Sequence, residues 1–349
     1  MRTMIIRPYF RSFILLLPLL LALPCTAAEL PGIPAFIDEM TAKHGFKRAE
    51  LEQVFQRAQH QQAIIDLIST PATIKPWPEY RATFVNDKRI SGGVQFWQRH
   101  AQALQLAEKQ YGVPQEIIVA VIGVETQYGR NSGKFSVLDA LTTLAFDYPR
   151  RADFFRSELE NYLLLARDQE WELFKVQGSY AGAIGIPQFM PSSYRKHAVD
   201  FNNDGMIDLL NDPLDAIGSV ANYLKQYGSP RSVWLSGEPV AVRARVGEVV
   251  PAWMRSNPQK PGVFKIKEMH SMAAWTAVGV TPVAQLDGDK LALLLDFTVA
   301  DGVEFWLAFN NFQVITLYNN SNFYAMSVYQ LAEALRNARD IEAKNSGRL

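Results

Sequence analysis

Hydrophobic and polar positions follow a helical period over most of the first two thirds of the chain. Apolar residues recur at helical spacing over residues 33–68 and again over 136–175, and Gly45 divides the first stretch into separate helices. Ser91 is a suitable cap for a further helix that runs to Gln110, because its hydroxyl can accept a hydrogen bond from a free N–H of the first turn. These stretches predict a largely helical protein.

The pattern changes in two other places. Residues 69–90 contain proline on both sides of Trp77, and we expect them to form a connector. From about Pro230, alternating or continuous apolar runs predict short strands at 240–246, 291–295, 305–309 and 312–315. Residues 326–339 return to a helical period. The sequence therefore predicts a β-rich section at 230–316 that interrupts a mostly helical chain.

One predicted helix is apolar on every side and ends in a carboxylic acid. It runs from about Pro114 to Tyr128, because proline suits a first turn and Gly129 suits the residue after a last turn. A helix that is apolar all round is a buried helix, so Glu125 lies at the end of a core helix. Burial and the negative end of the helix dipole both disfavour its carboxylate. A carboxyl group that is protonated near neutral pH can act as a general acid. The alternative is a Glu125 at a helix end that is exposed to solvent or paired with Arg130.

A second candidate is the glycine-rich segment over residues 179–191. Its small residues allow backbone to approach a ligand closely. Ser179 and Gln188 offer hydrogen bonds, while Phe189 and Met190 offer apolar contact. This combination suits a polar, uncharged ligand such as a sugar. Taken alone, the same composition fits a tightly packed loop at least as well.

A third candidate is an acidic segment that matches the opening of an EF-hand calcium loop. Side chains that carry oxygen stand at alternate positions: Asp200, Asn202 and Asp204. The glycine that follows permits the sharp turn with which such a loop wraps one hard cation. Asn211 stands where the usual twelfth-position glutamate would be, so Asp212 or Asp215 would have to close the site. The alternative is a surface turn rich in Asp and Asn.

Composition and charge exclude several classes of function. The 349 residues are enough for two or three domains, and 48% of them are hydrophobic, which excludes a largely disordered chain. Lys plus Arg and Asp plus Glu both number 35, so the net charge is zero and no charge run indicates a nucleic-acid partner. The 5 histidines form no His-x-x-x-His pair, which argues against a zinc enzyme. The G-x-S-x-G and P-loop motifs are also absent from the sequence.

The N-terminus has the pattern of a secretory signal peptide. Arginines precede an apolar run over 13–23 that is too short to span a membrane, and small residues over 26–28 offer a cleavage site. We expect residues 1–28 to be removed and the mature protein to reach the periplasm. The single cysteine, Cys25, raises the alternative of an outer-membrane lipoprotein, but the residues before it fit the lipoprotein signal poorly.

Several motifs occur in one order along the chain, over 125–129, 179–193, 200–208, 215–223, 309–312 and 318–326. Together they resemble the membrane-bound lytic murein transglycosylase B family of glycoside hydrolases, over about residues 36–335. The resemblance implies an α+β, mostly α fold with a lysozyme-like catalytic core. On this basis we expect a helical N-terminal domain at 29–104, the core at 105–229 with its EF-hand-like loop at 200–215, a small β-rich domain at 230–316, and a C-terminal segment at 317–349 that returns to the core.

The resemblance also implies an activity and a set of site residues. The activity is cleavage of the bond between N-acetylmuramic acid and N-acetylglucosamine in peptidoglycan, with Glu125 as the single catalytic acid/base. The residues that match the family's glycan groove are Ser179, Gln188, Phe189, Tyr223, Tyr318, Asn319 and Tyr324. Arg150 and Arg151 match basic residues near the muramic acid and its peptide.

The calcium ligands that the resemblance implies are Asp200, Asn202, Asp204, the Met206 carbonyl and Asp215. The loop between Asp204 and Asp215 is one residue longer than in the family, which places Asp215 in question. We expect calcium to be structural, with no cofactor for catalysis. The expected partners are peptidoglycan glycan strands and cell-wall synthesis proteins, and we expect a monomer.

The chemistry of a lytic transglycosylase needs only one carboxylic acid. Most glycosidases need two carboxylates, and neither Asp139 nor Asp147 lies in an apolar context comparable to that of Glu125. Glu125 would protonate the leaving oxygen and then take a proton from the muramic acid 6-hydroxyl, which closes a 1,6-anhydro ring. The alternatives are a hydrolytic muramidase that uses water and a non-catalytic peptidoglycan-binding scaffold protein.

Overall fold

The computed structural model describes residues 30–70, 75–228, 233–247, 269–345 and 347. The predicted signal peptide, its cleavage site and Cys25 lie outside these residues. Within the described ranges, no helix is both long enough and apolar enough to cross a membrane.

The N-terminal part of the described chain is helical, as the spacing of apolar residues predicts. The first helices are α1 (Ile33–His44), α2 (Arg48–Arg57) and α3 (Gln62–Ser69). Gly45 separates α1 from α2 with a φ of 70°, a left-handed conformation that glycine adopts at little cost and that ends a helix. Phe36 and Phe55 pack edge to face beneath these helices, within the main hydrophobic core.

The prediction of a connector at 69–90 is wrong, because part of that stretch forms α4 (Trp77–Phe84). The prolines on both sides of Trp77 suggested a loop. Pro78 instead lies within the first two positions of the helix, where its missing N–H breaks no intrahelical hydrogen bond. Trp77 is buried and anchors this short helix to the core.

The single helix predicted from Ser91 to Gln110 is also wrong. Two helices occupy that stretch and extend beyond it, α5 (Asp87–Arg99) and α6 (Ala101–Tyr111). The cap is Asn86, whose side chain accepts a hydrogen bond from the backbone N–H of Arg89. Ser91 lies inside α5, and His100 separates the two helices.

Helix α7 (Gln115–Thr126) is the buried apolar helix that the sequence predicts. Every residue from 117 to 124 is buried. The helix ends earlier than expected, because Gln127 and Tyr128 adopt φ values of 52° and 66° before Gly129 is reached. Glu125 is therefore in the last turn, beside a sharp change in chain direction.

The helices that surround α7 in the central region are α8 (Val137–Asp147), α9 (Ala152–Asp168), α10 (Pro191–His197) and α11 (Pro213–Gln226). A 3₁₀ turn at Pro149–Arg151 leads into α9. A small antiparallel pair of strands, β1 (Phe135–Ser136) and β2 (Gln177–Gly178), joins the start of α8 to the glycine-rich segment.

A five-stranded antiparallel sheet forms the β-rich section. Its strands are β3 (Ala241–Val246), β4 (His270–Ser271), β5 (Val280–Pro282), β6 (Leu291–Val299) and β7 (Gly302–Ala308), in the spatial order β4-β6-β7-β3-β5. A short helix, α12 (Met272–Ala277), lies between β4 and β5. The sheet confirms the strands predicted near 240–246, 291–295 and 305–309.

The strand predicted at 312–315 is wrong, because those residues belong to α13 (Asn310–Tyr318). All of them are buried, and a short run that is buried on every side has no period that separates helix from strand. The last helix, α14 (Asn322–Asn345), confirms the helical period predicted at 326–339 and packs against α4, α5, α7 and α13.

These contacts return the C-terminal segment to the core and place α14 beside the end of α7. The result is an α+β fold that is mostly helical. The proposed division into domains stays a prediction, and α6 spans the boundary placed between residues 104 and 105.

Candidate active site

The end of α7 is fixed by hydrogen bonds that tie it to the glycine-rich segment. The buried Thr126 hydroxyl donates to the carbonyl of Ile186 at 2.8 Å and accepts from the N–H of Gly129 at 2.9 Å. The N–H groups of Gln127 and Tyr128 close the last turn on the carbonyls of Gly123 and Ile122. Because both ends of this turn are held, the direction in which Glu125 leaves the helix is fixed.

Four tyrosines from four helices surround the carboxyl group of Glu125. The Tyr324 hydroxyl of α14 donates to Glu125 Oε1 at 2.5 Å. Tyr80 of α4, Tyr223 of α11 and Tyr318 of α13 lie close enough for the charge of Glu125 to raise their pKa values further, after the larger effect of burial. The carboxyl group therefore lies in aromatic surroundings, although the residue keeps partial access to solvent.

Burial raises the pKa of Glu125 from its ordinary value of 4.5 to about 7. Two effects oppose burial, namely the hydrogen bond from Tyr324 and the positive charge of Arg89. Arg130 forms no ion pair with Glu125 in the described part of the chain, and Glu125 is only partly exposed, so neither form of the alternative describes this residue. A carboxyl group poised near pH 7 can both give and take a proton.

A cavity of about 430 Å³ brings together most of the residues expected in the glycan groove. The predicted residues that line it are Arg151, Gln188, Phe189, Tyr223, Tyr318 and Asn319. Adjacent aromatic rings continue from this cavity toward the acid: the ring centroids of Phe189 and Tyr223 are 5.3 Å apart, those of Tyr223 and Tyr318 are 4.8 Å apart, and those of Tyr318 and Tyr324 are 6.4 Å apart. We call this series the aromatic row. It ends at the Glu125 carboxyl group.

The hydroxyls of the aromatic row are committed to the protein. Tyr318 donates to the carbonyl of Pro187 at 2.5 Å, and Tyr223 donates to the carbonyl of Leu317 at 3.1 Å. The ring of Tyr227 stacks on that of Tyr223 at 4.4 Å. These contacts fix the rings. Phe189, Tyr223 and Tyr324 are buried, and Tyr318 keeps part of its surface accessible at the cavity, where an aromatic ring suits contact with a sugar.

The glycine-rich segment is a tightly packed loop as well as part of the cavity wall. The Ser179 hydroxyl accepts hydrogen bonds from the N–H groups of Ala181 and Ala183, so it holds the turn and does not line the cavity. Gly185 has a φ of 73°, and a Cβ there would lie 2.2 Å from the Leu209 carbonyl oxygen. The alternative interpretation from sequence therefore describes the glycines and Ser179, while Gln188 and Phe189 reach the cavity.

The two arginines differ in position. Arg151 lines the cavity, and its guanidinium lies 4.2 Å from the ring centroid of Phe154. Arg150 is exposed in the adjoining 3₁₀ turn and is not among the cavity residues. Only Arg151 is therefore placed to meet a ligand that occupies the cavity as it stands.

Sequence reasoning missed Tyr80 and Glu158. Tyr80 lies in the stretch that was expected to be a connector. Glu158 is buried in α9 and lines the cavity, where its oxygens accept hydrogen bonds from the Ser192 N–H at 2.9 Å and the Ser192 hydroxyl at 2.6 Å. Its helical spacing from Phe155 and Tyr162 was the available signal, because it lies on the same inward face.

The other carboxylates weighed from sequence have structural partners. Asp139 accepts a hydrogen bond from the Gln59 N–H at 2.9 Å, which ties the chain before α3 to α8. Asp147 lies 2.8 Å from the imidazole of His60. Neither is among the groups that act on the charge of Glu125.

The acidic loop over 200–215 folds around its own oxygens. The carboxylate of Asp200 accepts from the N–H groups of Asp204 and Gly205, at 3.1 and 2.9 Å. The Asn202 amide nitrogen donates to the carboxylates of Asp204 and Asp212, at 2.9 and 2.8 Å. The Asn202 N–H donor thus lies between two carboxylates. A cation is also stabilised between two negative charges.

Asp215 has a different position from the other predicted ligands. It is buried, and its oxygens accept from the N–H groups of Phe201 and Asp208, each at 2.8 Å. Asp212 accepts from the side-chain amide of Asn202, whereas the backbone N–H of Asn202 acts on Asp215. The side chain of Met206 is exposed, and its N–H donates to Asp204. Among the described residues, no three His, Cys, Asp or Glu side chains cluster as a metal site. A calcium ion in this loop would therefore also need the oxygens of the Asn202 amide and of the Met206 carbonyl.

Comparison with known proteins identifies the family. A family model described as the transglycosylase SLT domain matches residues 30–333. The chain belongs to this transglycosylase family. It is 43% identical over 325 residues to membrane-bound lytic murein transglycosylase B of Escherichia coli (strain K12), an alignment that covers 89% of this chain and 84% of the relative.

Solved structures of the family have the same fold. The soluble lytic transglycosylase SltB1 from Pseudomonas aeruginosa matches with a TM-score of 0.80 and 47% identity, over 89% of this chain and all (100%) of that one. The Escherichia coli lytic transglycosylase Slt35 in complex with calcium matches with a TM-score of 0.79 and 43% identity, over 89% of this chain and 94% of that one. Pseudomonas aeruginosa SltB3 in complex with NAG-anhNAM-pentapeptide matches with a TM-score of 0.74 and 28% identity, over 87% and 78%. This likeness confirms the mostly helical fold with a lysozyme-like core.

Proposed function

We propose that this transglycosylase cleaves the β-1,4 bond between N-acetylmuramic acid and N-acetylglucosamine in peptidoglycan and forms 1,6-anhydro-N-acetylmuramic acid. The observation that carries the proposal is a partly accessible carboxyl group with a raised pKa, Glu125, held by Tyr324 at the end of the aromatic row. The relatives named lytic transglycosylases, and the SltB3 complex that contains an anhydro-muramic product, support the same reaction.

The first step is proton donation by Glu125 to the oxygen of the leaving sugar. Because the Tyr324 hydroxyl donates to Oε1, the carboxyl proton would be carried by the other oxygen, Oε2, and would pass from there to the glycosidic oxygen. With its pKa raised to about 7, Glu125 is largely protonated below neutral pH. The bond from the sugar carbon to the leaving oxygen breaks with its electron pair going to that oxygen, and the substrate's N-acetyl group stabilises the positive carbon.

The second step reverses the role of the same group. Glu125, now a carboxylate, accepts the proton of the muramic acid 6-hydroxyl while that oxygen bonds to the sugar carbon. The Tyr324 hydroxyl and the charge of Arg89 stabilise the carboxylate between the steps. The enzyme ends in its starting protonation state, so no second carboxylate and no cofactor is required.

The residues of the cavity would bind the glycan strand. Phe189, Tyr223 and Tyr318 line the cavity and would contact sugars there, while Gln188 and Asn319 offer polar atoms at the cavity wall. Arg151 is suited to the acidic groups of the muramic acid or its peptide. Arg150 and Ser179 would act indirectly, the first near the cavity rim and the second by holding the loop.

The nearer alternative is a muramidase that hydrolyses the same bond. Mass analysis of products from purified sacculi separates the two, because a 1,6-anhydro product is one water lighter than a hydrolysed one. We expect the anhydro product, since the tethered 6-hydroxyl competes well with water in an enclosed groove. Reducing-end muramic acid as the main product would favour the muramidase. A scaffold protein would release no fragments at all.

Calcium is the second part of the proposal. Asp200, Asn202 and Asp204 would supply oxygens, with Asp212 rather than Asp215 as the better placed closing residue. The calcium complex of Slt35 supports a cation in this family. Calcium would stabilise the loop and take no part in the reaction.

The proposed place of action is the periplasm, where peptidoglycan lies. The signal-peptide pattern of residues 1–28 supports export, and the relative from Escherichia coli is named membrane-bound. N-terminal sequencing of the mature protein tests this point: Glu29 at the start supports cleavage after Ala28, whereas an acylated Cys25 supports a lipoprotein.

A further inference from the structure

Arg89 is a buried cation at the junction of α4, α5 and α7. Only 9% of its surface is exposed. Its Nη1 donates to the carbonyls of Gly123 and Val124, the two residues that precede Glu125, and its Nε donates to the carbonyl of Thr83 at 3.2 Å. One guanidinium therefore joins the last turn of the acid's helix to the end of the helix that carries Tyr80.

This arrangement is unusual for a buried charge. Buried guanidinium groups are ordinarily paired with carboxylates, because an unpaired charge is costly to remove from water. Arg89 has no ion pair in the described part of the chain, and its hydrogen bonds there run to backbone carbonyls. The negative end of the α7 dipole offsets part of that cost. The charge thus remains available to act on the carboxyl group of Glu125.

A second contact holds Arg89 from the opposite side. The chain turns back after α7, and the Tyr128 hydroxyl donates to the Arg89 carbonyl at 2.8 Å. Glycines make room for this ring: a Cβ on Gly123 would lie 2.6 Å from the Tyr128 hydroxyl oxygen, and one on Gly93 would lie 2.4 Å from it. A glycine inside a helix weakens that helix. Gly123 is nevertheless needed here, because a larger residue would collide with the Tyr128 ring.

We infer that Arg89 is a positioning residue for Glu125, which fixes the last turn of α7 and supplies the positive charge that stabilises the carboxylate between the two proton transfers. This inference deepens the proposed function and rests on it, because it takes Glu125 as the acid/base.

The other groups that face Glu125 carry no charge at working pH. They are Tyr80 on α4, Tyr223 on α11, Tyr318 on α13 and Tyr324 on α14, and burial raises the pKa of each. Arg89 is the charged group that lowers the pKa of Glu125 against the larger effect of burial. Removing that charge raises the pKa of Glu125, so the loss of activity at high pH moves to a higher pH.

The test compares variants of the mature protein by the pH dependence of kcat on purified peptidoglycan. Arg89→Met removes both the charge and the N–H donors, and Arg89→Gln removes the charge but keeps a donor. Arg89→Lys keeps the charge but loses the planar arrangement of guanidinium donors. Arg167→Met is the matched control, because Arg167 also donates to the last carbonyl of a helix, that of His44 at the end of α1, at 3.0 Å.

We expect the alkaline side of the kcat profile, the high-pH limb, to lie about one pH unit higher in Arg89→Met and Arg89→Gln than in the wild type. This shift is the lower end of the effect of a neighbouring charge. Arg89→Lys should keep the wild-type limb, with kcat lower by roughly tenfold or more and KM little changed, because the last turn is less well fixed. Arg167→Met should keep both the limb and kcat, even if its Tm falls.

If Arg89→Met folds and its kcat falls at the same alkaline pH as that of the wild type, the charge effect is overturned. Arg89→Gln serves for the same measurement if Arg89→Met fails to fold. Wild-type kcat in Arg89→Lys would overturn the positioning effect. Failure of the proposed function is distinguishable, since it appears as full activity in Glu125→Gln. An inactive Glu125→Gln beside an unaltered Arg89→Met contradicts only the present inference.

Discussion

Carboxyl groups serve opposite purposes at the end of α7 and in the loop over 200–215. Glu125 receives one hydrogen bond, from Tyr324, and aromatic rings surround it. The loop carboxylates instead receive backbone N–H groups, as when Asp215 accepts from Phe201 and Asp208. Burial raises the pKa of both Glu125 and Asp215, and the hydrogen-bond donors oppose it in each case. At Glu125 the donor engages one carboxyl oxygen and leaves the other for a substrate, whereas at Asp215 both oxygens accept from backbone N–H groups, so that carboxylate fixes the chain around it.

The comparison is tested most strongly by Glu125→Gln. Glutamine keeps the size of the side chain but has no exchangeable acid proton, so we expect peptidoglycan cleavage to fall by roughly 10⁴-fold, the upper end for loss of a general acid. Release of soluble fragments from sacculi measures the effect. Asp147→Asn is the control, because Asp147 pairs with His60 and should tolerate the change without loss of activity. Retained lysis by folded Glu125→Gln would remove Glu125 from the mechanism.

A smaller effect is expected from Tyr324→Phe. The variant loses the side-chain hydrogen bond that lowers the pKa of Glu125, so the carboxylate is less stable between the two steps. We expect kcat to fall by roughly tenfold, with the high-pH limb moved upward. Tyr329→Phe on the same helix is the control, since Tyr329 lines a separate cleft. Equal pH profiles for the two variants would contradict the role of the Tyr324 hydroxyl.

The raised pKa of Glu125 also predicts a pH dependence of stability. Its pKa is about 7 in the fold and 4.5 ordinarily, so stability is fully present below about pH 4.5 and is lost as the pH rises through 7. The loss is no more than about 3 kcal/mol and smaller with partial solvent access. Urea unfolding of wild type and Glu125→Gln should diverge in favour of the variant between about pH 5 and about pH 8. A constant difference in the free energy of unfolding would contradict this.

The smallest expected effect concerns the acidic loop. Calcium that binds only the folded state should raise Tm by a few degrees, since ligand at about 100 times Kd adds about 2.7 kcal/mol. Asp204→Ala removes the oxygen ligand and should abolish the rise while leaving cleavage unchanged, and the exposed Asp301→Ala should retain it. Equal Tm with calcium and with chelator in the wild type would leave the loop as a turn held by its own hydrogen bonds.

The sequence predicted the parts of the fold that carry a strong local signal. Helix α7 was found because Pro114 precedes a long apolar run, and β6 and β7 because short apolar runs stand between turn residues. The run at 312–315 was misjudged because full burial removes any period. Helix α4 was missed because proline marks a helix start as readily as a loop.

The sequence predicted a residue of the candidate site only where the neighbouring residues in the chain already indicated its role. Glu125 is informative by itself, because an acid in an apolar helix is costly without a role. Tyr80, Glu158 and Arg89 gave no comparable signal, since each acquires its meaning from a contact with a distant part of the chain. Arg89 meets α7 more than thirty positions later, and no local pattern encodes that distance.

The hydrogen bond between Tyr324 and Glu125 joins residues 199 positions apart, and the tyrosine lies in the last helix of the described chain. A chain delivered from its N-terminus presents the acid long before the partner that completes it. The acid meets this partner only once α14 has packed against α7. Proton exchange at Glu125 therefore depends on a contact that closes a very long loop of chain, so any change that loosens α14 from α7 also alters the acid.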